Sequence, residues 1–385
     1  MQRRTFVSSA AVALAGAIQP MASTWAASPL KVAAMLPLTG PAGLFGPSAR
    51  ACAQLAVEQL NARGGVLGRK VELLVGDGGL APAEAGQAAL KLWKGNGAEV
   101  FIGMHDSAVR GALEGLFKGQ VPYFYTPVYE GGDCSVGTYF NGETPPQQLE
   151  LPLPWLMAER KVKKWYLIGN DYIWGRNTNA AAKGYITKAG GTVLGDEYQP
   201  FSVDNFDSSL ARIRDSGADA VLVSLVGGSS VTFNRAFAGF GLADKVVRIG
   251  TLIEENTLAG IGVQNAKNLY SSMGYLANID TPAAKAFSAA YFTRFGDKAP
   301  ALNGLAESVF QGFLMLGTIA TKAKSLNVSA MDPASEGASY EGPRGLVTMH
   351  ARHVDQNIYV AGVASTGFKV VKTFPHVSSG QTCKV

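Results

Sequence analysis

A strand–loop–helix–strand–helix–strand unit occurs twice in this chain, and that repetition restricts the fold more than any other feature. The first copy spans residues 31–103. Val32-Ala33-Ala34-Met35-Leu36 is a continuous apolar run, as expected of a strand buried on both faces in a parallel sheet. Cys52, Leu55, Ala56 and Leu60 then recur at helical spacing, and Gly64-Gly65 ends that helix. Residues 71–75 read as the next strand, 81–93 as a helix and 99–103 as the third strand. The second copy starts at Lys164. It has a strand at 165–168, a helix running through 179–188 and closed by Gly190-Gly191, and a strand at 192–198. A short helix capped by Asp207 and a third strand at 218–223 complete it. The breakpoints correspond as well: Gly64-Gly65-Val66-Leu67-Gly68 against Gly190-Gly191-Thr192-Val193-Leu194-Gly195. Two such units predict two α/β lobes, each with a parallel sheet and right-handed crossovers.

Composition agrees with buried parallel strands and many tight turns. Charged residues make up 16% of the chain and glycine contributes 46 positions, against about 25% charged in an ordinary globular domain. Lys and Arg do not cluster into runs, so nothing calls for nucleic acid or an anionic membrane. Residues 1–27 read as an export signal. Arg3-Arg4 gives a positive start, an apolar stretch runs from Ala10 to Ile18, and small residues surround Thr24-Trp25-Ala26-Ala27. Arg3-Arg4-Thr5-Phe6-Val7 also resembles a twin-arginine signal, with an ordinary secretory signal as the alternative. The apolar stretch is shorter than the about 20 residues needed to span a bilayer. A soluble, exported protein is therefore expected. Of the three cysteines, Cys134 and Cys383 lie in loop contexts and could pair in an oxidising compartment, while Cys52 falls on the apolar face of a helix.

The chain lacks recognisable catalytic machinery. There is no Gly-x-Ser-x-Gly elbow, no His-Glu-x-x-His, no phosphate-binding loop and no Cys/His spacing for a metal. His350 and His353 read as a solvated loop in preference to a metal pair. No enzyme activity, metal or cofactor is expected. In parallel α/β sheets, ligands lie beyond the carboxyl ends of the strands. Two facing lobes would put the loops 37–47, 104–110, 125–134, 169–176, 226–230 and 251–255 in one cleft. These loops carry neutral hydrogen-bonders and aromatics, among them Ser107, Tyr125, Thr126, Tyr129, Tyr172 and Trp174. Such a lining suits a small, uncharged polar ligand whose donors and acceptors must all be re-paired on burial. Glu130 or Glu254 would be available to take up ligand N–H groups.

Five segments in order resemble the branched-chain amino-acid-type periplasmic binding proteins, and most of all their urea and short-chain-amide branch. They are Tyr129-Glu130-Gly131, Thr144-Pro145-Pro146-Gln147-Gln148, the run 169–179 (Gly-Asn-Asp-Tyr-Ile-Trp-Gly-Arg-Asn-Thr-Asn), the run 275–282 (Tyr-Leu-Ala-Asn-Ile-Asp-Thr-Pro), and Gly342-Pro343-Arg344-Gly345-Leu346-Val347. The resemblance covers nearly the whole chain beyond residue 27. It implies two Rossmann-like lobes joined by hinge crossovers, the type I periplasmic-binding-protein fold. Lobe one would hold 28–148 with a return segment 277–345, and lobe two 149–276 with the C-terminal segment 346–385. It implies ligand contacts from Ser107, Tyr125, Thr126, Pro127, Val128 and Tyr172, with Ser107 and nearby N–H groups holding a carbonyl oxygen and Tyr172 closing from the opposite lobe; His105, Glu130, Gly227 and Glu254, read from the same cleft loops, complete the expected set. The function implied is capture of a small polar solute (urea, a short-chain amide or an amino-acid-like molecule) for an ABC permease in the periplasm. The alternative is a ligand-sensing subunit acting on a partner sensor kinase or regulator.

Overall fold

The computed structural model describes residues 28–384, so the export signal read at 1–27 lies outside the described residues. The first repeat builds β1 (Leu30–Leu36), α1 (Gly46–Ala62), β2 (Val71–Asp77), α2 (Pro82–Leu90), β3 (Val100–Gly103) and α3 (Ser107–Phe117), followed by the short strands β4 (Tyr123–Tyr125) and β5 (Thr138–Phe140). All of these strands pair in parallel, in the order β2-β1-β3-β4-β5. β1 is buried along almost its whole length, which its unbroken apolar run requires.

The second repeat builds α4 (Pro152–Arg160), β6 (Lys164–Asn170), α5 (Ile173–Lys188), β7 (Thr192–Gln199), α6 (Asp207–Ser216), β8 (Ala220–Ser224), α7 (Gly227–Gly239), β9 (Val247–Gly250), α8 (Glu255–Ile261) and β10 (Leu269–Met273). These strands run parallel in the order β7-β6-β8-β9-β10. Asp207 is the first residue of α6 and not its cap; its own N–H is held by Asn205 Oδ1 at 2.7 Å.

The chain then returns through α9 (Pro282–Phe295), α10 (Gly304–Ala323) and α11 (Val328–Ser335), and ends in the antiparallel strands β11 (Ser339–Gly342), β12 (Gly345–His350), β13 (His353–Ala364) and β14 (Gly367–Val377). Helix α10 packs on α1 and reaches β3 and β4 of the first half. β13 joins the halves: its start pairs with β5 at His353↔Phe140, and its middle pairs with β10 from Tyr359 to Gly362. One twelve-residue strand thus carries the sheet from one lobe to the other.

The segment 346–385, expected to return to the second half as a unit, is shared in the structure. β12 pairs with β11 and the start of β13, β14 lies along the second half, and the tail crosses back to the first. There Cys383 forms a disulfide with Cys134 (Cα–Cα 5.4 Å), and Gln381 Oε1 accepts from Gly132 N at 2.7 Å. Cys52 is free and fully buried in α1.

The crossovers are stitched by buried amides. Gln148 Nε2 donates to the carbonyls of Thr251 (2.8 Å) and Ser272 (2.7 Å), and Gln147 Nε2 donates to Val354 O (2.8 Å) and Val377 O (3.0 Å). Among the described residues, no helix is long and apolar enough to cross a membrane.

Candidate functional site

Several strands end at the cleft between the halves, and each hands over to a loop that carries site residues. β3 leads into Met104, His105 and Asp106, where Asp106 caps α3 by accepting from Val109 N at 2.8 Å. Ser107 is therefore the first helical residue and not the cap. β4 ends at Tyr125 and passes to Thr126, Pro127 and Val128. β6 ends at Asn170, whose Oδ1 accepts from Val226 N at 2.7 Å. That bond fixes the loop carrying Tyr172 against the one that opens α7. Tyr172 packs on Phe201 and Trp174, with ring centroids 5.0 and 6.0 Å apart.

These loops enclose a cavity of about 50 Å³. From the first half it is lined by Ala42, Phe45, Met104, His105, Asp106, Ser107, Tyr125, Pro127 and Val128, and from the return segment by Leu305. The second half supplies Tyr172, Val226 and Leu252. The two halves are in contact across it. Asn256 Nδ2 donates to Leu44 O at 3.1 Å. Gly227 has φ +51°, and a Cβ there would stand 2.5 Å from Pro41 O. Glycine at that position is what lets α7 approach the 37–47 loop so closely.

Six of the ten residues expected at the site line this cavity: His105, Ser107, Tyr125, Pro127, Val128 and Tyr172. The other four sit elsewhere. Thr126 is fully buried and its hydroxyl donates to Gly103 O at 3.2 Å. Gly227 serves the close approach just described. The Glu254 carboxylate caps α8, accepting from Asn256 N (2.8 Å) and from Thr257 N and Oγ1 (2.7 Å each). Glu130 stands behind Ser107, accepting its hydroxyl at 2.6 Å and pairing with Arg110 Nη2 at 2.6 Å. Sequence reasoning placed Ala42, Phe45, Met104, Val226 and Leu252 in cleft loops without naming them as an apolar wall, and it missed Leu305 altogether. Leu305 comes from the start of α10, remote in the chain from the His105 and Tyr125 loops it meets, and no local pattern announces that encounter.

The cavity carries no Lys or Arg side chain in its lining, and its histidine is neutral. Burial pulls the His105 imidazole down to about 4. Its Nδ1 lies 3.1 Å from Asp106 O and its Nε2 2.8 Å from Tyr123 Oη. These contacts assign Nδ1–H as donor to the carbonyl and Nε2 as acceptor from the phenol. Burial also raises the Tyr125 and Tyr172 phenols well above their usual range, so both keep their protons.

The 350–353 pair is not a solvated loop as expected. His350 is partly exposed beside Glu336, but His353 is buried, stacked on Phe140 at 4.4 Å between centroids and hydrogen-bonded to Tyr129. Burial depresses it to about 4 as well, with Arg352 and Arg110 adding to the effect and Asp133 opposing it. A buried histidine held below its unfolded value near 6.5 costs nothing at pH 7, and loses stability as pH falls from there towards 4. For this shift the loss is about 2 kcal/mol at pH 5. A His353→Gln variant, which keeps an acceptor for Tyr129, should therefore lose about 2 kcal/mol less than the parent between pH 7 and pH 5 in urea titrations. Identical losses in the two proteins would refute this.

Known proteins share this fold. Leu/Ile/Val-binding protein homolog 6 of Brucella melitensis is 28% identical over 225 residues, 56% of this chain and 57% of that protein. The chain thus matches just over half the length of that relative. Leu/Ile/Val-binding protein homolog 7 of Brucella suis is 23% identical over 357 residues, covering 89% of this chain and 88% of that protein. Among solved structures, a solute-binding protein of an ABC transporter from Rhodopseudomonas palustris HaA2, in complex with p-hydroxybenzoic acid, superposes with a TM-score of 0.82 at 22% identity, covering 92% of this chain and 99% of that one. A leucine-, isoleucine-, valine-, threonine- and alanine-binding protein from Brucella ovis in a closed conformation superposes with a TM-score of 0.80 at 19% identity, with 92% and 97% covered. All four carry the names of binding proteins, and the two solved structures share the type I two-lobed α/β fold of this chain. Residues 29–368 match the family model described as periplasmic binding protein, and with nearly the whole described chain inside that match, the protein belongs to the periplasmic binding protein family.

Proposed function

We propose that this protein is the exported, periplasmic solute-capturing component of an ABC-type importer, and that its solute is a small neutral amide: urea or a short-chain aliphatic amide. The observation that carries the reading is the cavity itself, about 50 Å³ in volume with no cationic side chain in its lining. At about 10–15 Å³ per water-sized occupant, that space holds a handful of non-hydrogen atoms. An aromatic acid or a branched amino acid is larger and carries a carboxylate, for which the lining offers no Lys or Arg. Ala42, Phe45, Val226, Leu252 and Leu305 supply a wall for a short alkyl chain, and Ser107, Tyr125 and Tyr172 supply the polar end. Enclosure from both halves supports capture by closure, since a ligand that touches both lobes favours the closed state. The closed surface would then be presented to a membrane permease.

A thermal-shift panel on the protein lacking residues 1–27 tests this, with urea, acetamide, propionamide, butyramide, leucine and 4-hydroxybenzoate. A ligand at 100 times its dissociation constant stabilises the fold by about 2.7 kcal/mol. Stabilisation by urea or an amide, and not by leucine or 4-hydroxybenzoate, is expected. The reverse pattern would sink the neutral-amide assignment while leaving the capture role in place.

A further inference from the structure

Two of the three hydroxyls that line the cavity, those of Ser107 and Tyr125, spend their protons on groups outside it. Ser107 Oγ donates to Glu130 Oε2 at 2.6 Å. Glu130 is held in place by Arg110, whose Nη2 meets Oε1 at 2.6 Å while its Nε donates to Asp133 Oδ2 at 3.0 Å. Both side chains are almost fully buried, Glu130 at 2% exposure and Arg110 at 7%. Tyr125 Oη in turn donates to His105 O at 2.7 Å. A hydroxyl has one hydrogen and two lone pairs, so Ser107 and Tyr125 face the cavity with lone pairs alone. The His105 ring nitrogens are spent on Asp106 O and Tyr123 Oη. The Asp106 carboxylate is an acceptor already capping α3. Among the described residues, no intramolecular partner is found for the Tyr172 hydroxyl, which leaves it as the one lining side-chain hydroxyl free to donate.

We infer that the cavity selects its solute by hydrogen-bond polarity, requiring an N–H₂ donor group and rejecting the carboxylate of the same shape, and that Glu130 is the positioning residue that sets this preference. The inference rests on the reading of this cavity as the solute site and deepens it. It also reverses the role expected for Ser107: its hydroxyl accepts from the solute and does not hold a carbonyl oxygen. A primary amide brings two N–H donors to the Ser107 and Tyr125 oxygens and one carbonyl to Tyr172. A carboxylate can accept from Tyr172 with one oxygen, but its other oxygen sets lone pairs against those of Ser107 and Tyr125, which then go unpaired. Glutamate at 130 enforces this because an acceptor-only side chain takes the Ser107 proton, and Arg110 fixes the carboxylate where it does so. Glutamine at 130 can turn its amide N–H₂ towards Ser107, which releases the Ser107 proton into the cavity.

The test uses isosteric pairs as probes: propionamide with propionate, butyramide with butyrate, and 4-hydroxybenzamide with 4-hydroxybenzoate. Dissociation constants are measured by calorimetry for the parent, Glu130→Gln and Ser107→Ala, with melting temperatures as the folding control. In the parent, the amide of any pair that binds should be favoured roughly tenfold or more. Glu130→Gln should narrow or invert that ratio, and Ser107→Ala should narrow it by weakening the amide alone. A purely structural role for Glu130 would weaken both members equally. An acid favoured by the parent, or a ratio unmoved in whichever variants fold, would overturn the inference. Binding confined to the aromatic pair with the amide still preferred would remove the short-chain reading and keep this one, whereas no binding of any pair would remove both.

Discussion

Arg344→Met is expected to cost about 3–5 kcal/mol of folding stability, the usual penalty for removing one partner of a buried ion pair. Arg344 is fully buried at the junction of the crossovers and faces two carboxylates. Its Nε meets Glu307 Oε2 at 2.6 Å and its Nη1 meets Glu143 Oε1 at 3.1 Å, with all three side chains at most 1% exposed. Nη1 also donates to Gln356 Oε1 at 2.7 Å, and Nη2 to Gly304 O at 3.2 Å. Glu143 in turn accepts from Gly274 N at 2.6 Å. One guanidinium thus ties the exit of β5, the exit of β10, the start of α10 and strand β13. Methionine fills similar volume but leaves two carboxylates buried without a cation. Burial already holds the Glu307 carboxyl up at about 7 with Arg344 beside it, and losing the guanidinium raises it further, so the variant's deficit should shrink when Glu307 is protonated. Urea titrations should show a wider gap between parent and variant at pH 8 than at pH 5. A loss below about 1 kcal/mol, or a gap that widens in acid, would show that the cluster contributes little.

Cutting the disulfide should cost about 2–5 kcal/mol. Cys134 and Cys383 are 249 residues apart, and their bond clamps the chain's tail onto the loop that carries Glu130 and Asp133. The clamp is reinforced by Arg352, whose Nη2 donates to Cys134 O at 2.6 Å, and by Gln381 on Gly132. The bond restricts the unfolded chain and also holds the loop that positions Arg110. A Cys134→Ser/Cys383→Ser double variant should show the loss in urea titrations, and the parent treated with dithiothreitol should show the same loss. A parent indifferent to reductant, matched by a double variant of equal stability, would mean the tail is held by its hydrogen bonds alone.

Two of the five segments that resembled known binding proteins turn out to be hinge chemistry. Gln147 and Gln148 of the Thr144–Gln148 run stitch the crossovers. Arg344 of the Gly342–Val347 run is the buried cation between Glu143 and Glu307. The resemblance therefore reported the joint between lobes at least as strongly as the ligand site. That explains why it pointed firmly to the fold and less firmly to a solute. Of the residues lining the cavity, Ser107 and Tyr172 were legible because each follows the carboxyl end of an apolar strand, and Tyr125 because it ends one. Glu254 was misleading for a local reason: a glutamate one residue before a helix finds free backbone N–H groups, and its carboxylate is consumed there.

What the amino-acid sequence determined alone is everything that a local period can encode. Alternation of apolar runs, helical stripes and Gly-Gly breaks specified two parallel α/β units, and the loops at their strand ends bounded the site. Only the tertiary structure decided which groups meet and in what polarity. The proton of Ser107 is directed by a carboxylate 23 positions away, the cavity wall is completed by Leu305 from the returning helix, and Arg344 finds Glu143 from 201 positions away. Side-chain periodicity reports which face of an element is buried, whereas pairing, proton direction and desolvation depend on elements brought together from distant parts of the chain.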